Sequence, residues 1–219
     1  MALEAAAGHA PSVPPSVPGA TRVLIVDDHP AVREGLRAML VGEDGLEPVA
    51  AVATAAKALE VAGEARPDLV LLDYHLPDED GLSLALRLGT SASPPRTLIY
   101  SAFADEMLAL LAAVAGAHGL VSKAALSDEL SDAIRAVASG ETRLPALTPA
   151  VMEATASGLG TEDLPVVGML LHGTPAAEIA VTLDVSEDWL IARRWAILRR
   201  LRRRPSRIDG TGHAARPIP

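Results

Sequence analysis

Four short apolar runs each end on a polar side chain that no hydrophobic core could hold, and this recurrence constrains the fold more than any other feature. Arg22-Val23-Leu24-Ile25-Val26 runs into Asp27-Asp28, and Asp68-Leu69-Val70-Leu71-Leu72 ends on Asp73. Leu98-Ile99-Tyr100 delivers Ser101, and Leu120-Val121-Ser122 delivers Lys123. Continuous apolar runs of this length suit strands buried on both faces, the condition of a parallel sheet. Strands are expected at 23–26, 48–52, 69–72, 97–100 and 119–121, with helices at 31–40, 55–64, 82–88, 105–115 and 126–139 between them. Such alternation builds a doubly wound, five-stranded parallel α/β sheet with helices on both faces. In sheets of that kind ligands bind beyond the carboxyl ends of the strands, so the terminal polar residues converge. Three carboxylates, a hydroxyl and an ammonium at one spot suit a divalent cation and a phosphoryl group.

The chain has 219 residues, which suits one to two domains at roughly 100–200 residues per domain. Only 2% of the residues are aromatic, so the core has to be built from Ala, Val, Leu and Ile. No apolar run approaches the roughly 20 residues that span a bilayer. The absence of cysteine excludes disulfides and thiolate zinc sites and fits a cytoplasmic location. The Ala-, Pro- and Ser-rich start, residues 1–20, lacks a basic n-region and reads as a disordered tail rather than a signal peptide.

Charge divides the chain. Up to Pro145 there are 20 acids against 10 bases, and from Ala146 onward 8 acids against 9 bases, with eight arginines between Arg193 and Arg207. A basic C-terminal stretch on an otherwise acidic chain suggests a second job that faces a polyanion. The periodicity changes too. Pro145, Pro149, Gly158 and Gly160 surround one weak helical patch, read as a linker over 142–158. Helical patterns resume at 165–171 and after Thr174-Pro175, with Thr174 as N-cap and Pro175 at the first helical position. Leu183-Asp184-Val185 makes a turn, and Ser186 caps a further helix whose Glu187 and Asp188 favour its positive end. Two helices joined by a short turn form a helix-turn-helix.

Asp27-Asp28, Asp73-Tyr74-His75-Leu76-Pro77 with Gly81, Ser101-Ala102 and Lys123 closely resemble the receiver domain of two-component response regulators, a flavodoxin-like fold. The resemblance spans the receiver at 21–141. It implies Mg²⁺ held by Asp27, Asp28, Asp73 and the main-chain carbonyl of His75, with Asp73 as phosphoacceptor. It also implies Lys123 as the cation on a phosphoryl oxygen and Ser101 as the hydroxyl that draws the following loop inward. The chemistry agrees, since Mg²⁺ prefers oxygen ligands and carboxylates are established nucleophiles for phosphoryl groups. One residue departs from the family. Leu120, three before the lysine, stands where an aromatic commonly reports the switch.

Farther on, Gly173-Thr174-Pro175-Ala176-Ala177-Glu178-Ile179-Ala180, Leu183-Asp184-Val185-Ser186-Glu187 and Ile197-Leu198-Arg199-Arg200-Leu201 resemble the helix-turn-helix of NarL/FixJ (LuxR-type) regulators. This places an all-α output domain at 159–204, followed by a disordered tail at 205–219. The resemblance implies a phosphorylation-controlled DNA-binding transcription factor, with a sensor histidine kinase and DNA as partners, homodimerisation, and no enzymatic output. Arg193, Arg194, Arg199 and Arg200 are the expected DNA contacts. The presumptive reading face departs from the family, offering Ile191, Ala192 and Trp195, with Asp188 where a lysine is common. Apolar side chains do not make the bidentate base contacts that carry discrimination. Trp189 is expected in the small core and Trp195 on the surface, where with Ile191 it forms a candidate protein contact. The alternative function is therefore a receiver-controlled protein-interaction module with a degenerate helix-turn-helix.

Overall fold

The computed structural model describes residues 19–202. Apart from Gly19 and Ala20, the tails expected at 1–20 and 205–219 lie outside the described residues, as do Arg203 and Arg204. The chain divides into two compact units, at Thr148 and Pro149.

The first unit alternates strands and helices in the expected order: β1 (Thr21–Val26), α1 (Pro30–Val41), β2 (Leu46–Val52), α2 (Ala55–Ala65), β3 (Leu69–Asp73), α3 (Gly81–Leu88), β4 (Arg96–Ser101), α4 (Glu106–Ala115), β5 (Gly119–Ser122) and α5 (Ser127–Ala138). The five strands pair in parallel in the order β2-β1-β3-β4-β5. Successive side chains of a strand point to opposite faces. Val23, Ile25, Leu69, Leu71, Leu98 and Val121 accordingly form one core cluster with Leu36 and Leu40 of α1 and Leu130, Ile134 and Val137 of α5. The alternate residues Leu24, Val26, Val70, Leu72 and Ile99 are equally buried. Burial on both faces explains why these strands read as unbroken apolar runs.

Three helix starts in this unit are fixed by short polar side chains. Thr54 accepts from the Lys57 N–H at the start of α2, Asp80 from the Leu82 and Ser83 N–H groups at α3, and Asp105 from the Leu108 N–H at α4. Asp78 adds two acceptor bonds to the Ala55 and Ala56 N–H groups, which ties the loop after β3 to the start of α2. Beyond α5 the chain returns to the sheet. Arg143 forms a parallel bridge with Gly119 at the β5 edge.

The second unit holds α6 (Pro149–Ala156), α7 (Asp163–Leu171), α8 (Ala176–Thr182) and α9 (Glu187–Arg202). The first of these helices lies within the stretch read from sequence as a linker. Pro175 takes the N-cap position of α8 rather than its first turn, and no side chain caps that helix. Ser186 does cap α9, accepting from the Trp189 N–H at 3.1 Å. Between α8 and α9, Asp184 turns the chain with φ of 52°, a left-handed conformation that Asp tolerates better than most residues. Leu190, Arg194, Ile197, Leu198 and Leu201 are the buried residues of α9, at the spacing of one helical face.

Candidate functional sites

Strand register brings the polar ends of the first unit together. Val26 of β1 lies opposite Leu72 of β3, so Asp27 and Asp73 follow at the same level on adjacent strands. Ser101 pairs with Ser122 across β4 and β5, which sets Lys123 one residue farther on. Asp27 and Asp73 are buried, 1% and 4% exposed, as is Ser101. The Lys123 Nζ donates to Asp27 Oδ2 at 2.6 Å and to Asp73 Oδ2 at 2.8 Å, so one ammonium is shared by two buried carboxylates. It also lies 5.6 Å from the centre of the Tyr100 ring. Burial acts to lower the Lys123 pKa, but the bonds to Asp27 and Asp73 outweigh it and hold the ammonium above the ordinary lysine range. Burial raises the Tyr100 phenol as well; Lys123 opposes that shift and Asp27 and Asp73 add to it.

Asp27, Asp28 and Asp73 each offer a ligand atom to one group that could hold a metal ion, and His29 is the fourth member of that group. His29 was not singled out from sequence. Its place directly after Asp27-Asp28, just ahead of Pro30 at the first turn of α1, was the available signal. Its Nδ1 lies 2.6 Å from Asp28 Oδ1, its own N–H donates to Asp27 Oδ1, and Arg33 donates to the Asp27 carbonyl. Asp28 Oδ1 is shut from solvent, with the His29 ring nitrogen as its close neighbour. Three carboxylates that outnumber the single ammonium, with their oxygens gathered in one group, fit an oxygen-seeking divalent cation. His75 donates its N–H to Asp73 Oδ1 over 3.4 Å and bridges to Asp80 across the loop.

That loop is pressed against the site. The Gly81 N–H donates to the Tyr74 carbonyl at 2.8 Å. A Cβ on Gly81 would stand 2.2 Å from the Asp73 carbonyl oxygen, so only glycine allows this approach. On the other side, Ser101 Oγ accepts from the Phe103 N–H at 3.2 Å. Leu120 is 6% exposed, an aliphatic core residue on β5.

In the second unit the expected DNA contacts separate. Arg194 is buried, 6% exposed, and that expectation is corrected: the residue falls on the inward face of α9, one turn from Leu190 and from Leu198. Burial pushes its guanidinium down to about 10, still protonated at neutral pH. Arg193 is held by Asp163 through its Nε at 2.5 Å and by Glu162 through its Nη2 at 2.7 Å. The bond that Arg193 donates to Glu162, joined by the one to Asp163, raises the Arg193 pKa against the pull of burial. Arg200 binds the same Asp163, whose carboxylate also accepts the Gly160 N–H at 2.9 Å. Arg199 is exposed.

Neither tryptophan enters the core of the second unit. Trp189 is 38% exposed and lies under Arg193, 5.8 Å from the guanidinium to the ring centre. Trp195 and Ile191, the candidate protein contact, are both half-buried. Trp189 and Trp195 each stand one position from a buried residue, Leu190 and Arg194, and both fall off the packed face of α9.

A five-stranded parallel sheet with three aspartates, a serine and a lysine at its carboxyl edge defines a receiver domain, and here a helical unit containing a helix-turn-helix follows it. Residues 23–135 match the response regulator receiver domain family. The DNA-binding transcriptional activator DevR/DosR of Mycobacterium tuberculosis is 31% identical over 176 residues, which cover 76% of this chain and 81% of the relative. The signal receiver domain of the putative response regulator NarL from Mycobacterium tuberculosis superposes with a TM-score of 0.54 at 32% identity, covering 57% of this chain and 100% of that one. A structure of the two-component response regulator RcsB in complex with DNA shares the fold over 83% of this chain and 92% of its own, with a TM-score of 0.55 at 18% identity. The chain belongs to the response regulator family and is of the NarL/FixJ type.

Proposed function

We propose that Asp73 is the phosphoacceptor, that a sensor histidine kinase is the physiological donor, and that phosphorylation controls DNA binding by the output domain at 159–204. The lysine shared between Asp27 and Asp73 carries this reading, because it sets a cation beside the nucleophile. An Asp73 carboxylate oxygen forms the new bond to phosphorus while the bond from phosphorus to the donor breaks, and the donor departs with its electron pair. Lys123 meets the phosphoryl oxygens with its ammonium, and Ser101 donates its hydroxyl to one of them. Asp27, Asp28, Asp73 and the His75 carbonyl would hold Mg²⁺. When bound, that ion neutralises charge on the phosphoryl oxygens and on the crowded carboxylates.

Transcription regulators such as DevR/DosR support a DNA-binding output rather than an enzymatic one or a protein-interaction module. With Arg193 and Arg200 engaged by Asp163, phosphate contact falls first to the exposed Arg199. No helix among the described residues is long and apolar enough to cross a membrane, and the cysteine-free composition supports a cytoplasmic location. The test is intact-mass measurement after incubation with a small phosphodonor and Mg²⁺. Wild type gains one phosphate and Asp73→Asn gains none. Phosphate on the Asn variant sinks the assignment.

A further inference from the structure

The phosphoacceptor pocket is joined to the end of the receiver by a short polar path. Ser101 Oγ, the pocket hydroxyl, accepts from the Phe103 N–H. Two residues later Asp105 caps α4, accepting from the Leu108 N–H at 2.7 Å. Glu106 is the first residue of α4, and its Oε2 accepts the N–H of Thr148 at 2.7 Å. Thr148 is the last residue of the first unit, and Pro149 opens the second.

The segment that leads to Thr148 is fastened at three levels of different character. At its root, the Arg96 guanidinium donates to the carbonyls of Val137, Gly140 and Glu141. In its middle, the Leu120 N–H donates to the Arg143 carbonyl at 2.9 Å and the Arg143 N–H to the His118 carbonyl at 2.7 Å, edge pairing beside β5. The first of these anchors stands on β4 and the second pairs with the edge strand β5. Only the third, Glu106, stands directly after the loop that carries the pocket hydroxyl. Thr148 precedes a proline, which restricts its backbone to extended conformations and so fixes the direction of its N–H toward the acceptor.

We propose that Glu106 is a latch: in the unphosphorylated protein its carboxylate holds the Thr148 N–H, and phosphorylation of Asp73 opens it. This rests on the phosphoacceptor reading above. When the Ser101 hydroxyl turns to donate to the phosphoryl group, the loop 102–105 follows it, the first turn of α4 shifts, and Glu106 leaves Thr148. The device takes the place of a ring at Leu120, which has no aromatic rotamer to report the pocket. Its strength suits the task. A single hydrogen bond to a charged acceptor shifts a population by about a factor of ten, small enough for one new contact in the pocket to reverse it.

The experiment is amide hydrogen exchange by ¹⁵N NMR on the full chain, with and without a small phosphodonor and Mg²⁺, and with phosphate counted by intact mass. Exchange at the Thr148 amide is expected to quicken about tenfold on phosphorylation, while the Leu120 amide, bonded to Arg143, keeps its rate. Glu106→Ala should take one phosphate as wild type does but exchange fast at Thr148 in both states. Glu106→Gln, which retains an acceptor, should recover part of the protection. A Thr148 rate that is unchanged in wild type carrying one phosphate overturns the latch and leaves the phosphoacceptor reading standing. A wild type that takes no phosphate overturns both.

Discussion

In the receiver unit one ammonium is shared by two buried carboxylates; in the helical unit one buried carboxylate is shared by two guanidinium groups. The two constellations are near mirror images in charge, and they do opposite things. Around Lys123 the acids are in surplus, since Asp28 joins Asp27 and Asp73. Around Asp163 the charges balance, because Arg193 and Arg200 face Asp163 and Glu162. Surplus charge held in a cleft attracts a diffusible counter-ion. Balanced charge joins α9 to the start of α7 and leaves nothing over for a ligand.

The largest effect that separates them is expected at Lys123. Replacing it with Met leaves Asp27 and Asp73 adjacent and uncompensated, and removing one partner of a buried pair costs about 3 kcal/mol. Urea denaturation should show that loss without Mg²⁺ and a larger Mg²⁺-dependent recovery in Lys123→Met than in wild type. Equal recovery in the two proteins would mean that the carboxylates do not share a cation site.

A smaller effect is expected at Asp163. Asp163→Asn removes the charge that both arginines bind and should destabilise the helical unit by about 2 kcal/mol, the scale of hydrogen bonds to a charged group. Arg193 and Arg200 are then released toward phosphates. The dependence of random-duplex affinity on salt should steepen by roughly one unit for each released arginine. An unchanged slope would show that these arginines already contact DNA in wild type, and the contrast between the two constellations would fail.

The smallest effect is alkaline. Lys123 titrates above the ordinary lysine range in the folded protein. The stability it contributes is therefore present below its unfolded pKa and is lost as pH rises through the folded one. Tyr100, raised by burial, acts in the same direction. Urea midpoints for the receiver should fall above the lysine range in wild type and fall less in Lys123→Met. An identical decline in both proteins would assign the loss to Tyr100.

The receiver was legible because strand ends are topologically fixed. Once β1, β3, β4 and β5 are parallel, Asp27, Asp73, Ser101 and Lys123 have only one edge to share. His29 escaped because its place in the acidic group depends on how the loop turns into α1. The Arg143 pairing and the Glu106–Thr148 contact escaped because they join residues of an aperiodic segment. In the helical unit charge was read correctly as composition and wrongly as direction. Consecutive arginines on a helix are about 100° apart, so Arg193 and Arg194 could not both face a groove. Which of them turned inward was decided by Leu190, Ile197 and Leu198. The same geometry left both Trp189 and Trp195 off the packed face.

The pocket has an order of assembly written into it. Lys123 and Asp27 are 96 positions apart in the chain, and β5, which delivers the lysine, is itself flanked by the backbone of Arg143. A ribosome has therefore threaded the chain past Arg143 before the ammonium, both buried acids and the neighbouring edge are all available. Competence to accept phosphate is one of the last properties this unit acquires as it emerges, so a nascent regulator stays deaf to its kinase until its sheet is finished.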